Sequence, residues 1–154
     1  MVWKKFLLNH KEIPFKSLVN KEVNYNYSSQ NVPNLELKFK ILMTDEDKLK
    51  LPSYHQNLSV LNINYQHNLL IYGALANYKR PKYDLKINQI IQQEQEIKVR
   101  VFLYSGKSKL GLELIDLPYD IVAVNRSKLI FKDQLKFKFI DQRDKLLQQI
   151  NLKT

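Results

Sequence analysis

Three cations and two aromatic rings share one six-residue stretch of this 154-residue chain, Tyr78-Lys79-Arg80-Pro81-Lys82-Tyr83. A guanidinium offers a planar fork that pairs bidentately with a carboxylate or phosphate, and flanking phenols add rigid contact area. Tyr78, Lys79, Arg80, Lys82 and Tyr83 are therefore the candidate binding residues, suited to an anionic partner. The competing reading is a solvated hairpin turn, with Pro81 fixing the backbone and the tyrosine rings folded onto a sheet.

Other chemistry is harder to assemble. His10, His55 and His67 lack H-E-x-x-H or H-x-H spacing, and the chain has no cysteine to complete a zinc site. All three sit among Asn, Gln and Lys, so solvated surface positions are expected and no metal or other cofactor is assigned. Ser105-Gly106-Lys107-Ser108 carries the tail of a phosphate loop. The first glycine of that motif would fall at Val101, however, and the residues after it are strand-like, so no helix N-terminus is available for phosphate. No G-x-S-x-G elbow exists. The chain is read as a non-enzyme with no catalytic residue.

The elements that would position these residues are mostly strands. Leu35–Ile41, Ile97–Tyr104 and Leu135–Phe139 alternate apolar with polar residues, the mark of a strand with one buried face. Leu58–Ile63, Leu69–Ala76, Tyr83–Ile91, Leu110–Ile115 and Tyr119–Val124 add further strands, and Gln92–Glu96 reads as a polar hairpin turn. Asn20–Asn34 reads as a loop or a weak edge strand. Thr44-Asp45-Glu46-Asp47 resembles a capping box opening a short helix that stops before Pro52, with Leu49 and Leu51 as its inner contacts. Asp141-Gln142-Arg143-Asp144 offers a second helix start, with Leu146, Leu147 and Ile150 on one side. Pro118, having no backbone donor, is expected at the start of a strand in which Ile121 and Val124 are buried. The expectation is a mainly β, β-rich α+β chain, a single antiparallel sandwich or barrel-like domain over residues 1–154. It has a short helix after Thr44 and a C-terminal helix.

Composition bounds the function. A chain of this length buries roughly 68–70% of its unfolded surface, enough for one core without staples. The 25 basic and 15 acidic residues leave a net charge of +10, but 21 of the cations are Lys and 4 are Arg. Proteins that read phosphates or base edges favour Arg, so nucleic-acid binding is expected to be weak and non-specific. Lys and Asn share AT-rich codons, so genome composition is a sufficient source for much of the charge. No window approaches the roughly 20 apolar residues of a membrane span, and the apolar run Phe6-Leu7-Leu8 falls short of the about 7–15 of a secretory leader. A cytoplasmic location is expected if Met1 is the native start, and an extracytoplasmic one if a leader has been trimmed.

Two stretches carry a resemblance: Leu69–Ile87, LLIYGALANYKRPKYDLKI, and Leu117–Val124, LPYDIVAV. Together they resemble the C-terminal domain family of PrcB, the accessory subunit of a bacterial surface protease complex. Such domains typically show a strand, a turn of the form G-x-x-P-T-G-G-Y, an outgoing alternating strand and a later P-Y-x-I-V strand. Leu69–Leu75 is similar to the incoming strand, Tyr83–Ile87 to the outgoing one and Pro118–Val122 to the closing element. Ile13-Pro14-Phe15 and the Thr44 helix also fall where the family has a leading segment and a short helix, so the resemblance covers most of residues 12–125. The chain departs from the pattern at Arg80, Pro81 and Lys82, which replace the turn's Thr and two glycines, so this turn is built differently. The resemblance implies a non-enzymatic bacterial accessory or interaction domain, often outside the cytoplasm, with a protein partner such as a protease. The alternatives are a basic cytoplasmic nucleic-acid-binding protein using Lys79–Lys82 and Lys128–Lys138, and a small hydrolase with an unrecognised site. A small-molecule ligand is left unspecified.

Overall fold

Alternating segments of this kind bury one face only by stacking against another sheet. The computed structural model describes residues 10–19, 21, 34–56, 62–76, 83–105, 118–131 and 133–153. Among these the strands are β1 (His10–Glu12), β2 (Lys16–Ser17), β3 (Leu37–Leu42), β4 (Asn68–Leu75), β5 (Tyr83–Gln93), β6 (Glu96–Ser105), β7 (Tyr119–Asn125), β8 (Gln134–Ile140) and β9 (Leu146–Lys153). They form a five-stranded sheet, β1-β5-β6-β8-β9, and a four-stranded sheet, β2-β7-β4-β3. The two sheets pack as a sandwich and close no barrel. The proposed strand Leu110–Ile115 and most of Leu58–Ile63 lie outside the described residues. No described helix is long and apolar enough to cross a membrane.

One pairing departs from the antiparallel expectation: β6 and β8 run parallel, Glu96 opposite Lys136 through Arg100 opposite Ile140. Parallel neighbours need a crossover connection. Here the chain between them contributes β7 to the other sheet before returning.

Burial explains the sequence patterns. Between the sheets lie Leu69, Ile71, Leu85, Ile87, Val99, Val101, Val122, Val124, Phe137 and Phe139. A second cluster, with Leu42, Leu51, Tyr65, Leu70, Tyr72, Ile121 and Ala123, covers the outer face of the four-stranded sheet. β4 and β7 are thus buried on both faces, which is why they read as continuous apolar runs while β6 and β8 alternate. In β5 the buried phase slips by one residue between Ile87 and Ile90. A register shift between Ile87 and Gln89 absorbs it as a β-bulge.

The helix after Thr44 is present as α1, Asp45–Lys48. The Thr44 hydroxyl accepts from the Asp47 amide at 3.3 Å, and the Asp47 carboxylate accepts from the Thr44 and Met43 amides at 3.1 and 2.8 Å. Burial alone would raise the Asp47 pKa, but the two amides and the Lys50 ammonium outweigh it and hold the carboxyl below its usual 3.8. Leu51 is buried as expected, whereas Leu49 is 69% exposed rather than an inner contact.

The expected C-terminal helix is a strand. Asp141 spends its carboxylate on the amides of Arg143 and Lys145, at 2.8 and 2.9 Å. Asp144 takes a positive φ of 63°, a left-handed turn conformation that stops a right-handed helix from starting. The chain then reverses into β9, antiparallel to β8. The apolar spacing that suggested a helix face becomes a strand face on which Ile150 and Leu152 pack against the core.

Candidate functional site

Tyr78, Lys79, Arg80 and Lys82 lie outside the described residues, as do Gly106, Lys107 and Ser108. Tyr83 opens β5 opposite Ser105, with its ring packed partly buried against the inner core. That placement agrees with a tyrosine folded onto the sheet.

Just past Tyr83, β5 is held by polar contacts to Lys21 and, across the sheets, to Asp120. The Lys21 ammonium pairs with the Asp84 carboxylate and donates to the Leu85 carbonyl at 2.9 Å. On β7, Asp120 is wholly buried. Its carboxylate accepts from the Ile87 amide at 2.7 Å and from its neighbour Ile121 at 2.9 Å. Burial raises the Asp120 pKa, and the Ile87 amide, Lys21, Lys86 and the Ile121 amide pull it partly back. Both carboxylate oxygens are committed to backbone, so Asp120 holds β5 to β7 and has structural work.

His55 corrects the expectation of a solvated histidine. It is 1% exposed. Its Nδ1 shares a 2.7 Å hydrogen bond with the Tyr72 hydroxyl, and its ring stacks on Tyr119 at 3.8 Å between centroids. The polar neighbours of His55 in sequence hid this, because the rings that bury it come from β4 and β7. Among the described residues, no group of His, Cys, Asp or Glu is arranged to hold a metal ion.

Beside β2 lies a groove of about 580 Å³, lined by Phe15, Lys16, Leu18, Ile63, Ala123 and Lys128, among others. Phe15 packs against the inner cluster, while Leu18 and Ile63 pack against the outer one. The groove therefore straddles the edge of the four-stranded sheet. Lys16 and Lys128 are both exposed. The ion pairs among the described residues are Lys21–Asp84, Lys48–Asp45, Lys50–Asp47, Arg100–Asp144 and Lys138–Glu96, so neither ammonium meets a carboxylate there. Sequence reading passed over this site because its apolar lining comes from positions scattered between residues 15 and 123. Comparison with protein families, curated proteins and solved structures finds no match to this chain.

Proposed function

We propose that this chain is a non-enzymatic accessory or protein-interaction module, of the PrcB-like kind its sequence resembles, with a protein partner such as a protease. The observation that carries the reading is the groove beside β2, which combines apolar groups, two ammonium groups with no carboxylate partner among the described residues and a sheet edge formed by a strand of only two residues. Recognition surfaces commonly pair a desolvated apolar centre with a polar rim. The Tyr78–Tyr83 turn is a second contact surface in this proposal.

The test is affinity purification of the tagged full chain from its native host, after nuclease treatment and at high salt. One protein retained in stoichiometric amount is the expected result. Changing Lys79, Arg80 and Lys82 together to Ser should weaken that retention while leaving stability within about ±0.5 kcal/mol per site. Recovery of nucleic acid alone, or a hydrolase activity intrinsic to the purified chain, would overturn the proposal.

A further inference from the structure

Resting on that reading, we propose that the groove beside β2 receives an extended, acidic peptide segment of the protein partner, which adds as a strand to the open side of β2. Strand addition requires a sheet edge with free backbone groups, pockets for alternate side chains and access. Among the described residues β2 is the last strand of its sheet, with Lys16 opposite Ala123 and Ser17 opposite Val122. The Leu18 amide donates to the Ile121 carbonyl at 2.9 Å. By strand alternation, Lys16 and Leu18 turn their backbone groups toward β7, and Ser17 turns its N–H and C=O away from it. Ser17 is exposed.

Side chains of an added strand would point alternately to the two sides of the edge. One side offers Phe15; the other offers Leu18, Ile63 and Ala123. The volume falls within the ~300–1,000 Å³ range of sites that enclose a small ligand, which suits a few side chains of a peptide. Charge selects among peptides. Lys16 and Lys128 flank the apolar lining without a carboxylate among the described residues, so acidic residues flanking the apolar positions of the segment complement them. A single-stranded nucleic acid suits the groove less well, because base stacking needs several rings and Phe15 is the one aromatic residue among those lining it.

The experiment is fluorescence anisotropy of the full chain with three synthetic peptides. One alternates aliphatic and polar residues between Glu flanks, the second carries Lys flanks, and the third scrambles the first. The Glu-flanked peptide should bind at least about tenfold more tightly than the other two, a difference of about 1.4 kcal/mol. In the Lys16→Glu/Lys128→Glu chain, the preference should pass to the Lys-flanked peptide. Ser17→Pro, which removes the outward N–H, should weaken binding about tenfold. Should that chain unfold, N-methylation of the peptide at alternate positions gives the same readout. Peptide binding indifferent to the charge reversal overturns the proposal. So does displacement of the peptide by an equimolar oligonucleotide, or a dimer mass in light scattering that Ser17→Pro abolishes. A native partner still retained by the Lys16→Glu/Lys128→Glu chain also overturns strand addition while leaving the interaction-module reading standing.

Discussion

The side-chain amide of Gln148 on β9 pairs with both backbone groups of Phe39 on β3, accepting from its N–H at 3.1 Å and donating to its C=O at 3.3 Å. β3 is the edge of its sheet, so one glutamine stands where a further strand would. The device recurs. Gln142 bonds both backbone groups of Leu103 at 3.0 and 2.8 Å, beyond the last parallel β6–β8 pair. Gln92, 2% exposed, does the same for Ile130 at 2.9 and 2.7 Å. Unpaired edges invite association with other chains; Gln148 blunts that of β3, while Gln92 ties the loop residue Ile130 to β5.

Gln148→Ala is expected to destabilise the fold by about 1–3 kcal/mol, because it leaves two part-buried backbone groups without partners. Gln149→Ala, on the exposed face of the same strand, should stay within about ±0.5 kcal/mol. Urea denaturation of the two variants checks the contrast, and equal midpoints would remove the edge-capping role.

Gly73 is held to glycine by the ring it faces. A Cβ there would lie 2.8 Å from Phe39 Cε1 and 3.1 Å from Leu85 Cδ1. The Phe39 ring cannot easily retreat, because it stacks on Phe139 at 4.2 Å between centroids. Gly73→Ala should therefore cost about 1–3 kcal/mol by overpacking. Adding Phe39→Leu should recover part of that loss, a coupling a double-mutant cycle measures. Strict additivity would place the clash elsewhere.

Much of the sandwich was legible because burial on one face leaves a period of two in the sequence and burial on both leaves a continuous apolar run. The capping box at Thr44 was legible because it is local. The C-terminal strand was not, since Leu146, Leu147 and Ile150 suit a helix stripe as well as a strand face, and the Asp141 turn decides between them. His55 and the three glutamines escaped for another reason. A polar side chain has no visible partner in sequence when that partner is a ring or a backbone group far along the chain. The groove beside β2 belongs to the same class, being assembled by topology from Phe15, Leu18, Ile63 and Ala123.

Asp120 ties stability to pH. Its folded pKa lies above the usual 3.8 because burial disfavours the charge. In the window between the unfolded and folded values, the native state binds more protons. The contribution of this group is therefore greatest on the acid side and declines as pH rises through that window. Asp120→Asn should cost about 1–3 kcal/mol, because its amide nitrogen would face one of the two buried N–H donors. The advantage of the parent over this variant should shrink as pH climbs from about 4 toward neutrality. Denaturation across that range tests the sign, and an advantage that grows with pH would refute it.

Tyr65 offers the opposite case, a buried polar group the fold would be better without. It is 7% exposed, and among the described residues its hydroxyl is buried with no hydrogen-bond partner. Burial, reinforced by the carboxylates of Asp45 and Asp47, pushes its pKa up to about 12 from 10.0. The phenol is thus neutral at any ordinary pH. An unsatisfied buried hydroxyl costs about 1–3 kcal/mol, so Tyr65→Phe should be neutral or stabilising by up to about 1 kcal/mol. Tyr72→Phe should instead destabilise by a similar amount, since it breaks the 2.7 Å bond to His55. In strong alkali the unfolded chain ionises at this tyrosine first, so stability should fall as pH rises from 10.0 toward about 12. Tyr65→Phe should flatten that part of the alkaline profile and Tyr72→Phe should leave it in place. A destabilised Tyr65→Phe with an unchanged alkaline limb would mean that the hydroxyl has a partner after all.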